Sequence, residues 1–240
     1  MQKKIKRKVI KIASIALSVI LACIAVFIIY TSDYYRADER AWEATQKEYV
    51  LAKGDGDYLV SRSENAKAGL IFYPGAKVET EAYLPLLCQI AAYDIDCFLV
   101  DMPFHLAFFG ADAAESIIQN NKHIKEWYVA GHSLGGVMAS QFASKNQDVV
   151  SGLILLASYP YKEFPLEKTL KVYGELDTSV AKKITYTENV YVIEGGNHAQ
   201  FGNYGKQRGD AEAEISAEDQ QAFTVAKINY FVDIVIRKGA

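Results

Sequence analysis

The sequence predicts an α/β fold, a mostly parallel sheet with helices on both faces, preceded by one N-terminal transmembrane helix. Three observations carry this prediction. Short β-rich runs alternate with helical patterns after about residue 57, several of these runs are apolar without alternation, and a long uncharged segment precedes them all. Continuous apolar runs are typical of parallel strands buried on both faces. Strands that alternate with helices indicate a sheet covered on both sides.

The individual elements follow from these patterns and from the glycines between them. The predicted strands are 57–61, 70–73, 97–101, 127–131, 152–158, 170–174 and 190–194. The predicted helices are 79–93, 111–120, 133–145 and 215–237, with a further charged helix over 33–53 that Gly54 and Gly56 end. Because reactive groups of such sheets gather at the carboxyl ends of the strands, we expect the functional residues there.

The N-terminal segment is predicted to anchor the chain in a membrane. Residues 12–30 carry no charge and would span roughly 28 Å as a helix, close to the thickness of the hydrocarbon core. A cleaved signal peptide is the alternative, but the apolar run is long and lacks a small-residue cleavage site. A lipoprotein modification at Cys23 is a further alternative with less support than the signal peptide. The predicted organisation is a basic segment 1–11, an anchor 12–30, a juxtamembrane helix and linker 31–56, and a globular domain 57–240.

Charge is distributed unevenly along the 240 residues. Residues 1–11 hold six bases and no acid, whereas the rest of the chain holds 20 bases and 29 acids. The basic segment predicts a cytoplasmic N-terminus and an extracytoplasmic domain, and the lack of a glycosylation sequon favours a bacterial cell membrane. An acidic body argues against nucleic acid as a partner. We expect no metal and no cofactor, because zinc-type Cys/His spacing is absent. Cys88 and Cys97 are expected to be buried free thiols, with a disulfide as the alternative.

One motif indicates a catalytic residue. It is a Gly-x-Ser-x-Gly sequence centred on Ser133, between a predicted strand and a predicted helix. In that context the serine sits in a strained turn that presents its hydroxyl above the sheet. Gly131 and Gly135 stand where side chains would collide across so tight a turn. We therefore predict that Ser133 is a nucleophile; an ordinary serine helix cap is the alternative reading.

A serine nucleophile needs a base, and His198 is the best candidate. It follows the last predicted strand on a Gly-rich loop, at the carboxyl end of the sheet. His105 lies after an earlier strand and could line the pocket, His132 lies inside the turn, and His123 precedes its strand. The order Ser, acid, His favours His198.

The remaining parts of such a site can also be assigned. Asp177 follows the strand 170–174 and is the predicted acid, ahead of Glu175 and Glu194. The backbone N–H groups of Leu134 and Ala76 are the predicted oxyanion donors, since one should follow the nucleophile and the other should lie after an early strand.

Together these residues resemble the α/β-hydrolase superfamily, and within it the small lid-less, dienelactone-hydrolase-like bacterial hydrolases. The resemblance covers about residues 57–238. It rests on the motifs at 73–78, 100–104, 131–136, 174–177 and 195–198. Dienelactone hydrolases have a cysteine nucleophile, whereas this chain has Ser133. The segment 159–168 is too short for a helical lid, which implies an open pocket in which Phe104, His105 and Phe201 contact the substrate.

The predicted function is hydrolysis of a carboxylic ester, through an acyl-enzyme, on a small-molecule or lipid-like substrate. Acyl transfer, or thioester or amide cleavage, is possible with the same three residues. A non-catalytic binding protein on a hydrolase scaffold is the alternative from another class, but a binding protein has no need of all three residues.

Overall fold

The computed structural model describes residues 2–239, and the side chains of residues 2–5, 9, 55 and 239 lie outside that description. The chain divides into two units, one ending at Tyr34 and the other beginning at Tyr35. The first contains helix α1 (Gln2–Ser32). From Lys6 to Ser32 this helix is long and apolar enough to cross a membrane. Membrane spans and signal sequences both have this character. Lys3 and Lys4 of the predicted basic segment fall among the side chains outside the description.

The second unit is built on one eight-stranded sheet with strand order β1-β2-β4-β3-β5-β6-β7-β8. The strands are β1 (Val50–Ala52), β2 (Tyr58–Val60), β3 (Ala68–Tyr73), β4 (Ile95–Leu99), β5 (Trp127–His132), β6 (Val150–Leu156), β7 (Thr169–Gly174) and β8 (Val190–Ile193). All pairs from β4 to β8 are parallel, whereas β1 and β2 join the β4 edge antiparallel. The predicted mostly parallel sheet is confirmed.

Helices cover both faces of this sheet. They are α2 (Glu39–Thr45), α3 (Leu84–Ile90), α4 (Ala114–Asn120), α5 (Leu134–Lys145), α6 (Thr178–Ala181) and α7 (Ala217–Gly239). Successive strand residues point to opposite faces, so in β3 Leu70 and Phe72 join the core under α3 and α7, while Ile71 and Tyr73 join the core under α4 and α5. The central strands are therefore buried on both sides, which explains their uninterrupted apolar sequences.

The segment before β2 differs from its prediction. Instead of one helix over 33–53, α2 ends at Thr45 and Val50–Ala52 pairs with β2 as a sheet edge. Ala41 and Ala44 are buried on the domain, as is Val50. An exposed Glu43–Lys47 pair stabilises a helix by only a few tenths of a kcal/mol, so burial of the apolar residues decides the structure. The compact unit consequently begins at Tyr35, whereas the sequence predicted a start at residue 57.

Two smaller predictions are confirmed. Between β6 and β7 the described chain forms only a short 3₁₀ turn (Leu166–Lys168) and no helical lid. Cys88 and Cys97 are buried free thiols. In the described chain, no helix of this connection therefore covers the strand ends that hold the candidate site.

Candidate active site

Ser133 stands in a sharp turn between β5 and α5. Its backbone has φ 51° and ψ −121°, a conformation that a non-glycine residue adopts only when the surroundings impose it. Two hydrogen bonds hold the turn, from the Ser133 N–H to the Leu156 carbonyl (3.0 Å) and from the Ser158 hydroxyl to the Ser133 carbonyl (2.7 Å). A Cβ at Gly135 would collide with the Tyr73 carbonyl oxygen, so helix α5 approaches the loop after β3 as closely as a glycine allows.

His198 and Asp177 are brought together at the same edge. Asp177 follows β7, His198 follows β8, and His198 Nδ1 lies 2.6 Å from Asp177 Oδ2. Burial opposes ionisation of Asp177, but hydrogen bonds from His198 and Ser179 outweigh it and hold the pKa of the carboxyl below its ordinary value. A carboxylate can only accept here, so Nδ1 of His198 carries the proton and Nε2 has its lone pair available as a base.

Ser133 and His198 both line one cavity of about 260 Å³. Its walls come from the start of α5, the residues after β6 and the α6 region. The ammonium group of Lys183 lies 3.9 Å from the centre of the Tyr159 ring, a cation–π contact on one wall. The cavity thus places the candidate nucleophile and the candidate base against the same small volume.

A buried chain of hydrogen bonds supports this arrangement from beneath, and the sequence analysis missed it. The Gly75 N–H donates to the Tyr83 hydroxyl (3.0 Å), which lies 2.8 Å from His132 Nδ1, and His132 Nε2 lies 3.0 Å from the His198 carbonyl oxygen. A carbonyl oxygen only accepts, so His132 donates from Nε2 and Tyr83 donates to Nδ1. Burial lowers the pKa of His132 well below its ordinary value, which keeps the ring neutral and the chain of donors intact.

The two predicted oxyanion donors lie in adjoining segments. Leu134 is the first residue of α5, where backbone N–H groups have no partner within the helix. Ala76 lies in the loop after β3, which the close approach of Gly135 to Tyr73 places beside the start of α5. The N–H groups on either side of Ala76 are engaged, that of Gly75 with Tyr83 and that of Lys77 with the His105 carbonyl (2.8 Å).

The other candidates fall outside the cavity. Phe201 is fully buried in the core with its ring 5.7 Å from His132, so it lies behind the site and not on its surface. Phe104 is 53% exposed in the loop after β4, and His105 follows it there. Substrate contact by Phe104 or His105 stays a prediction.

The alternative acid Glu175 has another partner, since it accepts from the Gly195 N–H (3.0 Å). Asp177 is the candidate acid that accepts from His198. Asp210 accepts from the His198 and Ala199 N–H groups (3.2 and 2.8 Å) and fixes the start of their turn. No spacing in the sequence marks that contact, because it depends on how the 199–214 segment folds back.

A serine at a strand-to-helix turn and a His–Asp pair at the carboxyl edge of a mostly parallel sheet define the α/β-hydrolase class. Residues 69–222 match the family model described as "Alpha/beta hydrolase family". The chain therefore belongs to the alpha/beta hydrolase family. The match is to the family as a whole and not to its dienelactone-hydrolase-like group.

Solved structures show the same fold at low sequence identity. A ferulic acid esterase from Streptomyces cinnamoneus is 14% identical with a TM-score of 0.54, over 71% of this chain and 68% of that one. A soluble variant of monoglyceride lipase from Saccharomyces cerevisiae is 10% identical with a TM-score of 0.55, over 80% and 97%. A monoacylglycerol lipase from Paleococcus ferrophilus is 11% identical with a TM-score of 0.53, over 77% and 98%. No curated protein sequence matches the chain.

Proposed function

We propose that this chain is a membrane-anchored serine hydrolase that cleaves carboxylic esters through an acyl-enzyme. One observation carries the proposal. His198 is bonded to Asp177 through Nδ1 and lines the same cavity as Ser133, which a strained turn presents at the end of β5. A histidine that is held by a carboxylate and lines the same cavity as a serine is the arrangement that activates a serine nucleophile.

The mechanism follows from these positions. His198 Nε2 takes the proton of the Ser133 hydroxyl as its oxygen attacks the ester carbonyl carbon. The N–H groups of Leu134 and Ala76 bind the oxyanion, and Asp177 stabilises the imidazolium. The intermediate then collapses, the C–O bond to the alcohol breaks, and His198 returns the proton to the departing alcohol. Water repeats the sequence on the acyl-enzyme and releases the acid.

The choice of an ester substrate is supported by fold relatives and by the shape of the site. The solved structures named above are those of an esterase and two lipases, which are enzymes that act on esters. Here the cavity is small, and the described residues between β6 and β7 form no helical lid, which suits a small-molecule ester or one acyl chain of a lipid-like substrate.

The anchoring part of the proposal rests on α1. Its span from Lys6 to Ser32 suffices to cross a bilayer, and six bases precede or begin it. Basic residues are retained on the cytoplasmic side. We therefore place residues 1–11 in the cytoplasm, the span at residues 12–30, and the hydrolase domain, which begins at Tyr35, outside the cell membrane.

Labelling with a fluorophosphonate probe tests the activated serine, using the full chain in detergent micelles. Labelling should be lost in Ser133→Ala and strongly weakened in His198→Ala, because phosphonylation needs the hydroxyl and its base. Ser144→Ala is the matched control, since Ser144 lies on α5 with its hydroxyl bonded to the Gln141 carbonyl. A folded wild-type chain that does not label would contradict the proposal, and labelling without ester turnover would favour acyl transfer or thioester or amide cleavage.

A further inference from the structure

Three phenylalanine side chains form an exposed aromatic patch. Phe104, Phe108 and Phe109 are 53%, 51% and 47% exposed. Their rings contact one another, with centroids 5.5 Å apart for Phe104–Phe109 and 4.6 Å for Phe108–Phe109. Single exposed apolar residues are ordinary on a protein surface, but three clustered phenyl rings mark an interaction surface.

The backbone beneath the aromatic patch is strained. Phe104 and His105 have φ values of 59° and 54°, the left-handed region that favours glycine. Folding therefore holds a large apolar residue in an unfavourable conformation and leaves it in solvent. Strain of this kind persists where the surrounding structure imposes it and often accompanies a binding role.

The aromatic patch lies at the catalytic edge of the sheet. It follows the carboxyl end of β4. Its loop is bonded to residues 74–79, the loop after β3 that carries Ala76 and is called the oxyanion loop below: the Lys77 N–H donates to the His105 carbonyl (2.8 Å). Between the phenylalanines, Ala107 joins the core cluster that contains Met138 of α5, the helix that begins beside Ser133. The aromatic patch is therefore linked to the candidate site in two ways, by the hydrogen bond between the two loops and by the packing of Ala107 in the same core cluster as α5.

The point at which the hydrolase domain begins lies at the same edge. The Tyr35 N–H donates to the Lys77 carbonyl (2.7 Å), and the Glu79 N–H donates to the Tyr35 carbonyl (2.9 Å). Ser32 ends the apolar helix only three residues earlier, a length of chain that reaches at most about 11 Å. A membrane that holds this helix is therefore within short reach of the oxyanion loop.

We propose that the aromatic patch docks into the lipid surface of the membrane in which the N-terminal helix is anchored, so that ester substrates reach Ser133 from the bilayer. The inference rests on the anchoring proposed above and goes beyond it by fixing which edge of the domain faces the lipid. Phenyl rings at this edge enter the boundary between headgroups and acyl chains, where amphipathic surfaces bury their apolar residues.

Fluorescence quenching tests the docking without relying on catalysis. The full chain carrying Phe108→Trp is reconstituted in phosphatidylcholine vesicles whose acyl chains are brominated or not. In brominated vesicles, the fluorescence of the introduced Trp should fall to less than about half of its value in unbrominated vesicles, since the ring should lie about 5–10 Å deep in the lipid. Tyr230→Trp is the control. Tyr230 is 57% exposed on α7, where its neighbours Asn229 and Asp233 bind Lys67 at the amino ends of the strands, opposite the candidate site.

Each outcome decides the proposal. Quenching at position 108 and not at 230 supports it. If the chain floats with the vesicles but the Trp at position 108 is not quenched, the docking is overturned and the anchor is retained. If the chain does not float with the vesicles, both the docking and the anchor are overturned. Fluorophosphonate labelling of the same samples reports the serine chemistry separately.

A second arm connects docking to substrate access. In the double variant Phe108→Ser and Phe109→Ser, hydrolysis of a long-chain ester dissolved in the vesicles should fall by about tenfold or more, because two apolar rings no longer enter the lipid. Hydrolysis of a water-soluble short-chain ester should be unchanged. Equal losses on both substrates would overturn the proposal.

Discussion

The hydroxyl of Tyr83 connects the three parts of the candidate site at the level of single residues. It accepts from the loop that carries Ala76 and donates to His132, which in turn holds the backbone of His198. Tyr83 and His132 are fully buried, and burial raises the pKa of the Tyr83 hydroxyl, so this hydroxyl remains a donor at physiological pH. Tyr83 and His132 are positioning residues, since neither lines the cavity with Ser133.

Tyr83→Phe should lower kcat by about tenfold or more and change KM little, because the base and the oxyanion loop lose their shared support while the cavity walls remain. Loss of the hydroxyl leaves the Gly75 N–H and His132 Nδ1 without a partner, which should lower stability by about 1–3 kcal/mol. Steady-state kinetics and thermal melts measure the two effects.

Tyr128→Phe is the matched control for that variant. Tyr128 is also buried, and its hydroxyl donates to the Val232 carbonyl at the far end of β5 from Ser133. Both variants should lose stability, but only Tyr83→Phe should lose kcat. If the kinetics of the two variants were alike, the positioning role of Tyr83 would be wrong.

At this scale the sequence indicated the candidate catalytic residues but not the contacts that hold them. Ser133, Asp177 and His198 could be proposed because each lies in the connection that follows a strand, and the carboxyl ends of parallel strands meet on one side of the sheet. His132 was set aside because it cannot face the neighbouring hydroxyl. Its actual contact joins residues 66 positions apart, and no local pattern encodes such a contact.

Among the elements, helix α5 is the one whose position decides the site. Gly135, in its first turn, packs directly on the backbone of Tyr73 and Pro74, so α5 and the oxyanion loop are in contact without a side chain between them. The distance between the Leu134 and Ala76 N–H groups therefore depends on this packing.

Gly135→Ala should separate the two segments. Its Cβ would meet backbone atoms that cannot rotate away, so we expect a loss of roughly 1–3 kcal/mol or more in stability and loss of fluorophosphonate labelling. The control is Gly54→Ala, since nothing lies within 4 Å of a Cβ at Gly54. Melting temperature and labelling rate are the measurements, and normal labelling of Gly135→Ala would contradict the close packing described here.

The central strands were the easiest elements to predict, because their uninterrupted apolar runs fit burial on both faces. All seven predicted strands exist, although β2 and β8 are only partly buried. Strand β1 was missed because only Val50 of its three residues is buried and the pattern is too short to have a period. The charged pattern over 33–53 predicted a helix, although tertiary packing and pairing with β2 determine that segment.

At the scale of the whole molecule, β1 is the outermost strand on one side of the sheet and pairs with β2, which would otherwise be the edge strand. Residues 35–56 thus belong to the hydrolase domain and are not a linker outside it. They supply the buried Ala41, Ala44 and Val50, and they carry the Tyr35 bonds to the oxyanion loop. An unpaired β2 would present free backbone groups, which favours association between chains.

A fragment of residues 33–240 should therefore be monomeric and should label like the full chain. A fragment of residues 57–240 should aggregate and label poorly, since it lacks β1 and the contacts of Tyr35. Size-exclusion chromatography and labelling compare the two. Monomeric, fully labelled 57–240 would restore the boundary that the sequence alone predicts.

The wide spacing of the site residues along the chain has a consequence for biosynthesis. Ser133 is made 65 residues before His198, which at ordinary rates of translation is a delay of roughly 3 to 13 s. Until β7 and β8 have emerged and paired, the serine has neither its base nor the acid beside it. A nascent chain of this protein therefore lacks the complete candidate site until it has been made through His198.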